Sequence, residues 1–360
     1  MSRFFSTKYS NLEAYVPGEQ PSDMDRYVKL NTNESPFPPS PKAQKYAKQN
    51  TRVLNLYSDP QSQALTQAIA KTYDVDSDMV LTSNGSDEIL NFAFMAYTDK
   101  ENPALFADIT YGFYPVFADL NASPYETIPL REDFSLCVDD YMGKKGTVFI
   151  ANPNAPTGVA LPVSEIERLV KADENRIVVV DEAYVDFGAQ SCVSLTKKYK
   201  NLMVCQTFSK SRSFAGGRLG YAIASKEIIA DLNTIKYSTN PYNVNSMTSA
   251  MGIGILSDEA YTRKNCKAII ENRNYTVDEL KKIGFKVLPS CANFIFISSD
   301  KIDGTTLYSR LKEKGVLVRH FTKDRISNWC RVSIGSKESM EIFITKVKEI
   351  LAEAGKQEAI

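Results

Sequence analysis

Apolar and polar positions along the chain fall into short blocks that switch between two periods. From Gln61 to about Tyr73, Leu65, Ala68, Ile69 and Thr72 share one face at helical spacing, which predicts a helix. MVLT (79–82) reads as a short buried strand. SNGSDE then turns into a helix over about 87–97, with Ile89, Leu90, Phe92 and Phe94 inward. ALFA (104–107) reads as strand, Tyr114–Leu120 as helix and TVFIA (147–151) as strand. Pro162–Asp173 reads as helix, with Val163, Ile166, Leu169 and Val170 on the apolar side and proline in the first turn. IVVV (177–180) is an unbroken β-branched run, as expected of a strand covered on both faces. LMVCQTF (202–208) and LGYAIA (219–224) repeat that character. Strands alternating with helices predict an α/β fold with a mostly parallel sheet flanked by helices.

The two ends of the chain differ from this middle. Residues 1–41 carry Pro17, Pro21, Pro36, Pro38, Pro39 and Pro41, which argues for an extended, irregular arm. Near Ser257 the pattern changes to a long helix, roughly 258–283. Strand signals FKVL (285–288), NFIFIS (293–298), VLVRHF (316–321) and WCRVSIG (329–335) follow, with helices over 304–314 and about 338–354. This stretch reads as a smaller α+β domain. The expected division is an arm over 1–32 packing with the small domain, a large domain over 33–257 and the small domain over 258–360. The tail AEAGKQEAI is expected to fray.

Composition narrows the chemistry. The 360 residues are enough for roughly two domains without disulfides or structural metal. Lys plus Arg and Asp plus Glu both number 43, so no net field favours nucleic acid or an anionic membrane. The single histidine, His320, rules out zinc sites that need several histidines. The closest cysteines, Cys192 and Cys205, are thirteen positions apart, so no CxxC pair exists. The first residues, MSRFFSTKYSNLEAY, lack the apolar run of a signal peptide, and no stretch has the ~18 apolar residues of a membrane span. A reduced, cytoplasmic protein with no metal site is expected.

Ligands of open α/β sheets bind beyond the carboxyl ends of the strands. The residues standing there are Asn84-Gly85-Ser86-Asp87, Asp108 to Tyr111, Asn152 to Gly158, Asp181-Glu182-Ala183-Tyr184 and Ser209-Lys210. Asp181, directly after a buried strand, wants a cation or hydrogen-bond donors, and a helix cap or structural ion pair fits its position equally well. Lys210 has hydroxyls at Thr207 and Ser209, glycines at 216 and 217 and Arg218 nearby. Such a set describes a phosphate cradle around a nucleophilic amine. Gly85-Ser86-Asp87 before a helix would bare N–H groups for phosphate, or form a plain cap. No Walker A lysine motif is present, and no GxGxxG follows a strand. Tyr111 and Tyr184 suit either packing or the stacking and hydrogen bonding of a flat ring.

Taken together, TFSKSRSFAGGR around Lys210, DEAY (181–184), NPNAPTG (152–158), NGSDE (84–88) and YSDPQ (57–61) resemble the fold type I pyridoxal-phosphate aminotransferases. Within these, LNTNESPF (30–37), TYGFY (110–114), DEAYVDF (181–187), PYNVN (241–245) and CRVSIG (330–335) resemble the histidinol-phosphate aminotransferases. The resemblance runs from about Tyr15 to Gly335. It implies pyridoxal 5'-phosphate as cofactor, with Lys210 forming a Schiff base to it and carrying the proton, and Asp181 pairing with the pyridine nitrogen. Tyr184 would hydrogen-bond the phenolic oxygen and Tyr111 would stack on the ring. Gly85, Ser86, Asp87, Thr207, Ser209 and Arg218 would hold the phosphate, joined by Tyr57 from a neighbouring subunit of a homodimer. Arg331, Arg319, Tyr15 and Asn33 would contact substrate. The implied reaction converts histidinol phosphate and 2-oxoglutarate to imidazole-acetol phosphate and glutamate.

One position departs from the pattern. The family usually has asparagine immediately before PTG, as a donor to the cofactor's phenolic oxygen, and this chain has Ala155. Asn154 is expected to replace it, with Asn152 or Tyr184 alone as the other choices. An aromatic amino-acid aminotransferase and a threonine-phosphate decarboxylase carry similar motifs. A non-catalytic binding protein of this fold would be expected to lose Lys210 or Asp181.

Overall fold

The computed structural model describes residues 2–9 and 12–357. Seven strands form the main sheet: β1 (Val80–Ser83), β2 (Ala104–Ala107), β3 (Tyr125–Ile128), β4 (Thr147–Ala151), β5 (Val178–Asp181), β6 (Leu202–Thr207) and β7 (Gly220–Ala224). Their order is β1-β7-β6-β5-β4-β2-β3. All neighbours run parallel except β7, which is antiparallel to β1 and β6. Side chains alternate across the pleat, so Val178 and Val180 join one apolar cluster while Val179 joins the other. Leu202 and Val204 part from Met203 and Cys205 in the same way. Helices cover both faces, which is why these strands read as unbroken apolar runs.

Two elements lacked a clear apolar signal. β3 is an edge strand, YETI, with only Ile128 buried. Helix Pro41–Asn50, which begins at the last residue of the segment expected to be irregular, buries only Ala43; Ser40 caps it by accepting the Ala43 N–H at 3.2 Å. Helix Lys226–Thr239 packs on β1 and β7, and helix Ser246–Leu256 packs on helices Pro41–Asn50 and Gln63–Tyr73.

A 24-residue helix, Glu259–Lys282, leads to a smaller domain. Its sheet has Phe294–Ser298 and Cys330–Ser333 at the centre, with Lys286–Val287 and Arg319–His320 at the edges, all antiparallel. The expected single strand over 316–321 is divided. Val316–Leu317 pairs instead with Val28–Lys29 of the arm, in parallel. The Leu30 N–H donates to Leu317 O, and Leu30 O accepts from the Ser333 N–H, so the arm is laced to this domain. The last helix, Lys337–Gln357, carries on through most of the segment expected to fray; residues 358–360 lie outside the described ones.

Candidate active site

A cavity of about 780 Å³ opens at the carboxyl ends of the parallel strands and extends to the arm and the small domain. The antiparallel course of β7 matters here. Gly220, its first residue, pairs with Ser83 of β1 on one side and Thr207 of β6 on the other. Three loops therefore meet at one point: Asn84-Gly85 after β1, Phe208 to Lys210 after β6, and Arg218-Leu219 before β7. Of the residues expected in the site, all but Gly85, Asn154 and Tyr57 line the cavity.

The residues expected to hold phosphate come together where these loops meet. Helix Ser86–Tyr97 starts after Gly85, and no side chain caps its first N–H groups. Gly85 has φ 86, and a Cβ there would lie 2.6 Å from Arg218 Nη2. A Cβ on Gly220 would lie 2.4 Å from the Ser86 nitrogen. Glycine at both positions keeps the helix N-terminus open and the guanidinium beside it, a ready site for an anion. Arg218 donates to Asp87 Oδ2 at 3.1 Å, and Tyr111 donates to Asp87 Oδ1 at 2.7 Å. Thr207 Oγ1 accepts the Ser209 N–H at 3.1 Å and donates to Ser209 Oγ at 2.9 Å, so the two hydroxyls stand together in the lining that also holds Lys210.

Asp181 ends β5, held between Ala151 and Cys205, and is 6% exposed. It accepts from the Ala183 N–H at 3.1 Å and from Tyr114 Oη at 3.4 Å. Among the described residues no cationic side chain bonds it. Burial pushes its carboxyl up to about 7, with the negative charges of Asp87 and Glu182 adding to the rise and the two donors opposing it. A cation supplied by a ligand is what this carboxylate lacks. Lys210 Nζ, across the cavity, donates to Thr32 O at 3.2 Å and lies 5.8 Å from the Tyr184 ring. Burial, helped by the Arg331 charge, lowers its amine to about 8.

On the small-domain side two arginines, Arg331 and Arg319, line the cavity. Arg331 donates through Nη2 to Asn31 O at 2.9 Å, and its buried Nε has no hydrogen-bond partner. No carboxylate pairs with it among the described residues. Arg319 lines the cavity but donates to Pro17 O and Val16 O, both at 3.2 Å, so here its guanidinium holds the arm. Tyr15, on that arm, stacks on Phe113 with centroids 4.1 Å apart. Asn33 donates to Tyr184 Oη at 3.1 Å.

The expectation for Asn154 is corrected. Its Nδ2 donates to Ile109 O at 2.9 Å and its Oδ1 accepts from Thr110 Oγ1 at 2.8 Å, so the amide braces two loops away from the cavity. Asn152 is engaged likewise, by both backbone polar groups of Leu161. Ala155 faces the cavity with a methyl group. Tyr57 is 84% exposed and stacks on Tyr242 at 4.7 Å, on the outer surface with Leu54 and Leu56. His320 lies outside the cavity lining, bonded to Ser327 O at 2.7 Å. Tyr114, which the strand-end rule did not single out, and Asp108, which it did without a role, also contribute. Tyr114 reaches Asp181 from a helix. Asp108, at the end of β2, pairs with Arg325 of the small domain at 3.2 Å and joins the two domains at the cavity rim.

Comparison with known proteins bears on this arrangement. A family model described as "Aminotransferase class I and II" matches residues 25–347. Histidinol-phosphate aminotransferase of Clostridium botulinum (strain 657 / Type Ba4) is 49% identical over 352 residues, covering 98% of this chain and 99% of that protein. Histidinol-phosphate aminotransferase of Brachyspira hyodysenteriae is 45% identical over 353 residues, covering 98% and 99%. Among solved structures, histidinol-phosphate aminotransferase of Sinorhizobium meliloti in complex with pyridoxal-5'-phosphate superposes with a TM-score of 0.88 at 20% identity, covering 98% of this chain and 99% of that one.

Proposed function

The chain belongs to the class I and II aminotransferase family, and we propose that it moves an amino group from histidinol phosphate to 2-oxoglutarate, with pyridoxal 5'-phosphate as cofactor. One observation carries the reading: a buried carboxylate lacking a cation, Asp181, and a desolvated amine, Lys210, line the same cavity beside an uncapped helix N-terminus. When bound, the cofactor supplies an aldehyde for the amino group and a ring that draws electrons from the reacting carbon.

The chain's own groups account for the rest. Asp181 would hold a proton on the ring nitrogen, because the buried anion is stabilised by a cation against it. The N–H groups of Ser86 and Asp87 would hold the phosphate with Thr207, Ser209 and Arg218, while Gly85 leaves the space. Tyr184 would donate to the ring oxygen, and Tyr111 would lie against the ring. Lys210, its amine lowered to about 8, would be the base that carries the proton removed from the amine-bearing carbon. Arg331 binds the phosphate of one substrate and a carboxylate of the other, both suited to a guanidinium fork.

Tyr57 and the exposed Leu54, Leu56 and Tyr242 make a surface for a second copy of the chain, whose cradle Tyr57 completes. Six unpaired cysteines suit a reducing, cytoplasmic setting. Among the described residues, no helix is long and apolar enough to cross a membrane. The test is direct. Purified protein reduced with borohydride should carry the cofactor on Lys210, and histidinol phosphate with 2-oxoglutarate should give glutamate faster than phenylalanine does. Carbon dioxide release from phosphothreonine, or a preference for phenylalanine, would overturn the substrate assignment.

A further inference from the structure

Asn33 sits where the arm, strand Cys330–Ser333 and the turn after β5 meet. Its backbone is left-handed, φ 55, a conformation asparagine tolerates better than most residues. Its N–H donates to Ser333 Oγ at 2.8 Å, and its carbonyl accepts from Asn293 Nδ2 at 2.9 Å. Ser333 Oγ, already an acceptor, turns its own proton to Asn33 Oδ1 at 2.8 Å. That fixes which way the amide points. Nδ2 faces Tyr184 and donates to its Oη at 3.1 Å. The Tyr184 oxygen is therefore occupied as an acceptor, and its single proton is left to donate into the cavity. The ring itself is held edge-on against Phe294, centroids 4.9 Å apart.

No amide of the 152–157 loop reaches the cavity to share this task, since Asn152 and Asn154 are spent on backbone and loop partners. Ala155 offers no donor. We propose that Asn33 is a positioning residue for the cofactor: by donating to Tyr184 Oη it aims the phenol's proton at the ring oxygen and strengthens that donation. Hydrogen bonds in series polarise one another, so a donor into the phenol oxygen makes its O–H a better donor. Asn33 thus acts through Tyr184 rather than as the substrate contact expected from sequence. The inference rests on the cofactor reading above. The charged and titratable groups facing the Tyr184 phenol are Lys210, Arg331, Asp181, Asp87 and Tyr111. They are unchanged in the variants below.

The experiment follows the visible absorbance of the bound cofactor against pH in the holoenzyme, alongside its melting temperature. Asn33→Gly removes the amide while accepting the left-handed backbone. Its titration midpoint should rise by roughly half a pH unit, in the same direction as and by less than in Tyr184→Phe. Adding Asn33→Gly to Tyr184→Phe should move the midpoint no further. Asn33→Asp, which draws the phenol's proton to a carboxylate, should match Tyr184→Phe. A midpoint left unmoved by Asn33→Gly, with only the melting temperature lowered, overturns the proposal, as does a full additional shift in the double variant. A wild-type protein with no visible band overturns the cofactor reading itself and is told apart by that absence.

Discussion

Asp181→Asn in the cofactor-free protein isolates the cost of the lone buried carboxylate. The ordinary carboxyl value is 3.8, and the folded protein holds Asp181 at about 7. Because the folded acid keeps its proton to higher pH than the unfolded one, stability falls as pH climbs from about 4 to about 7 and is level above. At pH 8 the whole effect is roughly 4 kcal/mol, of which about 3 kcal/mol accrues between pH 5 and pH 8. Asparagine keeps the shape and can still accept the Ala183 N–H, but it has no charge to bury. The variant's lead over wild type should therefore grow by about 3 kcal/mol over that range. For a chain of this length that is roughly 4 °C in melting temperature. Glu182 is also pushed to about 7, mainly by its own burial, so its own slope is present in both proteins and the gap between them reads Asp181 together with its charge coupling to Glu182. Differential scanning calorimetry of both apo forms at pH 5, 6.5 and 8 reads the gap. Parallel profiles would refute the claim that Asp181 carries an uncompensated charge. Added cofactor should flatten the wild-type profile, because it brings the missing cation.

Gly85→Ala forces a Cβ against Arg218 at a positive φ, and should weaken cofactor binding about 10- to 100-fold in a fluorescence titration while leaving the fold intact. Lys210 in the apo form should react with trinitrobenzenesulfonate with a midpoint near pH 8, and Arg331→Gln should move that midpoint upward, because the guanidinium charge helps to lower it. The same Arg331→Gln change should cost roughly 10²–10³-fold in kcat/KM for both substrates, measured as separate half-reactions by stopped flow. Mixing inactive Tyr57→Ala and Lys210→Ala proteins should restore activity through mixed dimers holding one intact site; unchanged inactivity in a mixture shown to exchange subunits would remove Tyr57 from the partner's cradle.

The parts of the fold that were legible share a physical cause. A strand covered on both faces must be apolar throughout, and β5 and β6 announce themselves for that reason. β3 is an edge strand with three of its four residues exposed, so its YETI sequence is free to be polar and carries no such signal. VLVRHF looked like one strand because the pattern cannot tell which sheet a residue joins, and the arm took half of it. Helix Pro41–Asn50 buries a single side chain, too little to leave a period in the sequence.

The site divides along the same line. Asp181, Lys210, Ser86 and Arg218 were readable because one sheet presents them, each within a few residues of a strand end. Asn154 satisfied that rule and still failed, since a polar residue in a loop can be consumed by the loop itself. The substrate side is assembled otherwise. Arg331 is set by Asn31, and Tyr184 by Asn33 and Ser333, contacts that join positions 151 to 300 residues apart. Arg319 binds the carbonyls of Val16 and Pro17, and that arm carries Tyr15 onto Phe113 of the large domain. The width of the substrate end is therefore set by how the arm lies between the domains, and no local motif encodes it. It follows that changes in residues 15–33 and 319–333 should alter substrate choice while sparing cofactor affinity, except at Asn33, where the arm reaches through Tyr184 to the cofactor.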